Sequence, residues 1–173
     1  FIKYGDSSVI ARIFTEDHGL IAFLIQGVFR KKARISSSML QAFSLLDMVY
    51  YFKENRQIQK VKELRATPSV NVLQSDVVKS SLALFACEVL QNTLNNTEKD
   101  KALFSLVYNS VIELCQAEKA SSLWPHYFLL AIAQVQGFAP SYKDSGRYFH
   151  LKEGVFTNIP LGERETTNAQ ETQ

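Results

Sequence analysis

The chain has 173 residues, 46% of them hydrophobic and 21% charged, with a net charge of +2. That is enough length and apolar content for a packed core, and it excludes a disordered or fibrous chain. No apolar run reaches the ~18 residues of a membrane helix, and the two cysteines, Cys87 and Cys115, sit far apart in apolar patterns, as buried reduced thiols of a cytoplasmic protein do.

In chain order, residues 7–16 and 19–29 are rich in Val, Ile and Phe and flank Asp17-His18-Gly19. This predicts two strands and a tight turn in which Gly19 takes a positive φ. Residues 43–53 form a further β-like run, Glu54 to Arg56 a turn, and residues 57–66 a charged strand. All are expected to pair antiparallel. Both parities are apolar from Leu20 to Ile25 and again from Val49 to Phe52. A sheet with one wet face would alternate. Both faces should therefore be covered, the inside by a barrel core and the outside by later parts of the chain.

After Thr67-Pro68 the period becomes helical. Residues 76–94 place Val78, Leu82, Phe85 and Val89 on one face. Residues 98–116 follow Thr97, expected to cap the helix with Asp100 reaching back, and present Leu103, Val107, Tyr108, Val111, Leu114 and Cys115. A third helix over 122–136 has Pro125 in its first turn and stops at Gly137. Its apolar run Tyr127 to Ala133 is expected to be core. Past Pro140 the pattern fades into a polar, disordered tail. The fold class is α+β, divided as 1–67, 68–160 and 161–173.

Residues 1–65 carry eleven Lys/Arg against six Asp/Glu, and the remainder eight against eleven. The positive excess thus belongs to the strand-rich part, a layout suited to a polyanion. Arg30, Lys31, Lys32 and Arg34 form a basic bend, Lys53 and Arg56 a second turn, and Lys60, Lys62 and Arg65 lie on the last strand. These are the candidate nucleic-acid-binding residues, because cations neutralise phosphates irrespective of sequence. Tyr50, Tyr51 and Phe52 are assigned to the core first. Catalytic chemistry is not legible: there is no phosphate-binding glycine loop, GxSxG, HExxH or CxxC, and His18, His126 and His150 lack ligand spacing. The chain reads as a non-enzyme with no cofactor and no metal.

The ordered set YGDSSVIARIFTEDHGLIAFLIQGVFRKKARISSSMLQAF resembles the N-terminal part of the bacterial RecO family of recombination mediators, in the style of its Bacteroidetes members. Its carriers are Tyr4-Gly5-Asp6-Ser7-Ser8, the turn from Phe14-Thr15-Glu16 to Gly19, the bend from Gly27 to Arg34, and Leu40-Gln41-Ala42-Phe43. Lys79-Ser80-Ser81, Leu82 to Phe85, Leu103-Phe104 and Gly137-Phe138 with Pro140 extend the likeness, which spans residues 2–158. It implies an OB-fold antiparallel β-barrel followed by an α-helical domain, with the first barrel strand incomplete here. It also implies binding of single- and double-stranded DNA, annealing of complementary strands, and loading of RecA together with RecR. A further implied partner is the C-terminal tail of single-stranded-DNA-binding protein. Many relatives carry a four-cysteine zinc site where this chain has Tyr148 to Phe156 without a cysteine, so no zinc is expected. The alternative reading is an interaction scaffold whose basic barrel docks an acidic partner peptide.

Overall fold

The computed structural model describes residues 1–31, 33–94, 98–141, 146–159 and 166–168. By its contacts the chain divides into two units, Phe1–Leu129 and Leu130–Gln173. The first unit opens with strands β1 (Ile2–Tyr4), β2 (Ser8–Thr15) and β3 (Gly19–Ile25). After a 3₁₀ turn at Ser37–Leu40 come β4 (Leu46–Tyr51) and β5 (Ile58–Ala66), then helices α1 (Ser69–Ser75), α2 (Val77–Thr93) and α3 (Lys101–Gln116) and the start of α4 (Trp124–Val135).

The five strands form one sheet in the order β1-β2-β3-β5-β4. Gly19 takes its expected positive φ of 68°, and Thr15 fixes the same turn by donating its hydroxyl to the Gly19 carbonyl at 2.9 Å. The sheet is antiparallel except at one step, where Ala22 to Leu24 of β3 run parallel to Ile58 to Lys60 of β5. The exception follows from connectivity. β4 and β5 make a hairpin of their own, and the long crossover from Gln26 brings β5 in alongside β3 in the same direction. Strand number and order are OB-like, the partly open five-stranded arrangement. β1 and β4 stand at the two ends of the order, and among the described residues no ladder joins them.

The sheet's core alternates as a strand should. Val9 and Ala11 of β2 and Ile21, Phe23 and Ile25 of β3 are buried, while Leu20, Ala22 and Leu24 between them are half-buried. Phe14 on the other face of β2 packs its ring on Phe104 of α3 at 5.7 Å, so helical cover of that face is real at this point. In β4 the expectation of two buried faces fails: Tyr50 is half-buried, but Val49, Tyr51 and Phe52 are exposed. β4 ends the sheet, and among the described residues these side chains are left exposed.

β5 solves a pattern problem. Val61 and Leu64 both join the core cluster, yet residues three apart point to opposite faces of a regular strand. The register shifts between Val49↔Glu63 and Tyr50↔Val61, leaving Lys62 as the extra residue of a β-bulge. The bulge returns Leu64 to the inside and leaves Lys60 and Lys62 exposed.

In the helices, α2 is capped by Asp76, whose carboxylate accepts from the N–H groups of Val78 and Lys79. Its buried face is Lys79, Ala83, Ala86 and Leu90, one position on from the expected face, and Val78 is exposed. The two alanines permit close approach, and Lys79 enters because its Nζ donates to the carbonyls of Ala117 at 2.7 Å and Cys115 at 3.4 Å, at the C-terminus of α3. The cap of α3 is Asp100, which accepts from the Leu103 N–H; Thr97 lies outside the described residues. On α3, Leu103, Val111 and Leu114 are buried as expected, but Tyr108 is exposed and Ser110 takes a buried place. In α4, Trp124, Phe128 and Ile132 make one buried stripe, whereas Tyr127, Leu129 and Leu130 of the run expected to be core are exposed.

The second unit holds β6 (Tyr148–His150), β7 (Val155–Thr157) and β8 (Thr166–Asn168). Both β7 and β8 pair antiparallel with β6. A small sheet therefore stands in residues expected to belong to a helical domain, and one short piece of the expected polar tail is a strand. Their runs are too short to carry a readable period.

Candidate nucleic-acid interface

The basic bend is built from alternating anchors and cations. Gly27, at φ 76°, turns the chain out of β3, and two successive turns follow, with Arg30 N–H donating to the Gly27 carbonyl and Ala33 N–H to the Arg30 carbonyl. Val28 and Leu40 are buried in the sheet's core, and Ile35 and Met39 pack against it. The cations between these anchors cannot follow them inward, since an unpaired charge is costly to bury. Arg30, Lys31 and Arg34 are accordingly exposed. Lys32 lies outside the described residues.

The bend and β5 meet at a groove of about 350 Å³ whose lining includes Arg30, Arg34, Lys60 and Lys62. Its other walls are Leu24, Ile25, Gln26, Gly27, Ala33, Ile35 and Val61, with no carboxylate among them. The ion pair found among the described residues, Asp17 with Lys99 at 2.9 Å, is elsewhere. Four cations from two segments some thirty positions apart thus share one concave surface whose described lining holds no carboxylate. Such a surface raises the local concentration of any polyanion.

Lys53 and Arg56 do not line the groove. They are exposed at the β4–β5 turn, which is held by Gln59. That side chain, only 2% exposed, accepts from the Lys53 N–H at 3.1 Å and donates to the carbonyls of Lys53 and Arg56, each at 2.8 Å. Sequence reasoning missed Gln59. The signal was present in its parity: it shares a face with Val61, so a polar side chain there has to find backbone partners. It also missed Tyr51, which stands opposite Lys60 with Lys62 Nζ 5.8 Å from its ring centroid. Arg65 faces Asp47 across the hairpin and lines a different cleft.

That second cleft is larger, about 650 Å³, and runs from Ile13–Asp17 and Leu46–Tyr50 to Phe104 and Tyr108 of α3. Glu16, Asp17, Asp47 and Glu63 line it against the single cation Arg65. Its sign is wrong for phosphate, which leaves the smaller groove as the candidate. The Asp17 carboxyl is held below its ordinary range by the Lys99 ammonium beside it. Burial pushes both the Cys87 and Cys115 thiols above theirs. Of the histidines, His18 pairs its Nδ1 with the Tyr50 hydroxyl at 2.8 Å, His126 is exposed, and His150 accepts at Nδ1 from the Glu153 N–H. Among the described residues no group of three or more His, Cys, Asp or Glu is placed to hold a metal, and no helix is long and apolar enough to cross a membrane.

Two family models match the chain: Recombination protein O N terminal over residues 1–70 and Recombination protein O C terminal over residues 74–148. The chain is 29% identical over 157 residues to a DNA repair protein RecO of Azobacteroides pseudotrichonymphae, covering 90% of this chain and 65% of that one. It is 26% identical over 160 residues to one from Bacteroides fragilis, covering 91% and 66%. A third, from Chlorobium phaeobacteroides, is 31% identical over 140 residues, covering 81% and 53%. The chain thus spans just under two thirds of the length of the first two relatives. With the N-terminal and the C-terminal family models matched in order over residues 1–70 and 74–148, the chain belongs to the Recombination protein O family.

Proposed function

We propose that this chain is the DNA-binding part of a non-enzymatic recombination mediator in DNA repair. Its groove holds the phosphates of single- or double-stranded DNA on Arg30, Arg34, Lys60 and Lys62, with Lys31, Lys32, Lys53 and Arg56 extending the cationic surface. The observation that carries this reading is the convergence of the bend and β5 on one groove free of carboxylates. Phosphate neutralisation releases counterions and is indifferent to base sequence. Two complementary strands on one cationic surface lose most of their mutual repulsion, which is the physical basis for annealing. In the same reading the sheet closes as an OB barrel across the acidic cleft, and RecR, RecA and the tail of single-stranded-DNA-binding protein are the partners, in the cytoplasm.

Fluorescence anisotropy with a labelled oligonucleotide over a salt series tests it. Changing Arg30, Arg34, Lys60 and Lys62 together to alanine should weaken binding and flatten the log K versus log salt slope by about three for a single strand. An unchanged affinity and slope would remove the groove from the reading. Displacement by an acidic peptide, with no DNA binding in its absence, would favour the scaffold instead.

A further inference from the structure

Three aromatic residues in succession, Tyr50 and Tyr51 at the end of β4 and Phe52 just past it, each have a different environment. The Tyr50 ring meets Phe23 edge to face at 4.9 Å, and its hydroxyl is engaged by His18. Phe52 stacks on the His18 ring, centroids 3.9 Å apart and planes inclined by 21°, so one of its faces is taken. Tyr51 is 64% exposed and has no ring partner among the described residues. It stands directly across from Lys60 and beside Lys62, two of the four cations that line the groove.

We infer that Tyr51 is a stacking position for an unpaired nucleobase of a strand whose phosphates lie on that groove. This rests on the phosphate-groove reading and adds to it a preference the cations alone cannot supply. Charge attracts single strands and duplexes alike, whereas a flat exposed ring rewards only a base whose own faces are free. In a duplex those faces are covered by neighbouring pairs. Lys60, across the ladder from Tyr51, and Lys62, whose Nζ stands over one face of the ring, would hold the backbone phosphates of a strand whose base stacks on the ring's other face. His18 leaves Phe52 as a brace for the hairpin end rather than a second platform.

The test uses the full chain and three labelled ligands of equal phosphate number: oligo-dT of about twenty nucleotides, the same length of abasic backbone, and a blunt duplex. Wild type should bind oligo-dT more tightly than the abasic strand. Tyr51→Ala should lose about tenfold on oligo-dT and nothing on the other two, while Tyr51→Phe keeps wild-type affinity for all three. Equal wild-type binding of oligo-dT and the abasic strand would overturn the inference, as would a Tyr51→Ala loss shared by the duplex. Either result leaves the phosphate groove standing. Binding of none of the three ligands would instead overturn the groove reading and this inference with it.

Discussion

The backbone N–H of Phe43 donates to the Sγ of Cys87 across 3.0 Å, and this contact joins the segment before β4 to the middle of α2. Phe43 has a φ of 62°, a left-handed conformation that a bulky side chain adopts only under constraint. The constraint is visible around the ring. It meets Trp124 and Phe128 of α4 edge to face, at 6.2 and 5.9 Å. A residue of the strand-rich half thereby fills the aromatic cluster of the helices, with its otherwise stranded N–H satisfied by sulfur.

Truncating that wedge has an unusual expected order. Phe43→Ala should destabilise by about 3–5 kcal/mol through the cavity it leaves. Phe43→Gly leaves nearly the same cavity but removes the left-handed penalty of about 1–2 kcal/mol. The glycine variant should therefore be the more stable of the two in urea unfolding. The reverse order would mean that this backbone conformation is not held in solution.

Cys87 makes stability depend on pH at the alkaline end. Burial raises the folded thiol pKa above the ordinary 9.0, opposed first by the Phe43 N–H and then by the N-terminal charge. The folded state then holds the proton more tightly than the unfolded state between those two values. Its stabilisation is complete below pH 9.0 and lost as pH rises through the folded pKa. Thermal melts from pH 8 to 10.5 should fall more steeply for wild type than for Cys87→Ser, and parallel curves would contradict the assignment.

Lys79 is 6% exposed, and its charge is satisfied by two carbonyls at the end of α3. Lys79→Ala should cost about 1–3 kcal/mol, because those part-buried carbonyls lose their donor. Lys79→Arg should recover little, since the planar guanidinium does not fit a site shaped for a point donor. Chemical denaturation measures both.

The groove trades stability for charge. Arg34→Ala or Lys60→Ala relieves repulsion among four unneutralised cations, so each variant should melt no lower than wild type while binding DNA less well. Lys31→Ala and Lys53→Ala, outside the groove lining, should change the salt slope less than Arg34→Ala does. A variant that lost affinity and melting temperature in step would indicate misfolding instead of a lost phosphate contact.

Much of this fold was legible because Val, Ile and Phe at period two, a turn glycine and helix stops are local signals. The failures were those of tertiary context. In β4 the run Val49 to Phe52 is apolar at both parities, and only its place at the end of the sheet exposes Tyr51 and Phe52. The parallel step between β3 and β5 depends on a crossover that no window of residues displays. On α2 the apolar stripe suggested Val78, while the real contact needed the small side chains of Ala83 and Ala86 and the reach of Lys79. The basic residues were readable as a set, but which of them share a surface was not, since Arg30 and Lys60 are brought together only by the core anchors Val28 and Ile35.

The bulge at Lys62 gives this strand a particular tolerance of losing one residue. Losing that one codon would leave Val61 and Leu64 two apart on an unbroken ladder with Tyr50 and Met48, both still on the core face, whereas gaining one would oblige the bulge to hold a second unpaired residue. Substitutions at Lys62 leave the count intact and should be borne easily. The position is therefore permissive both in what it is and in whether it is there.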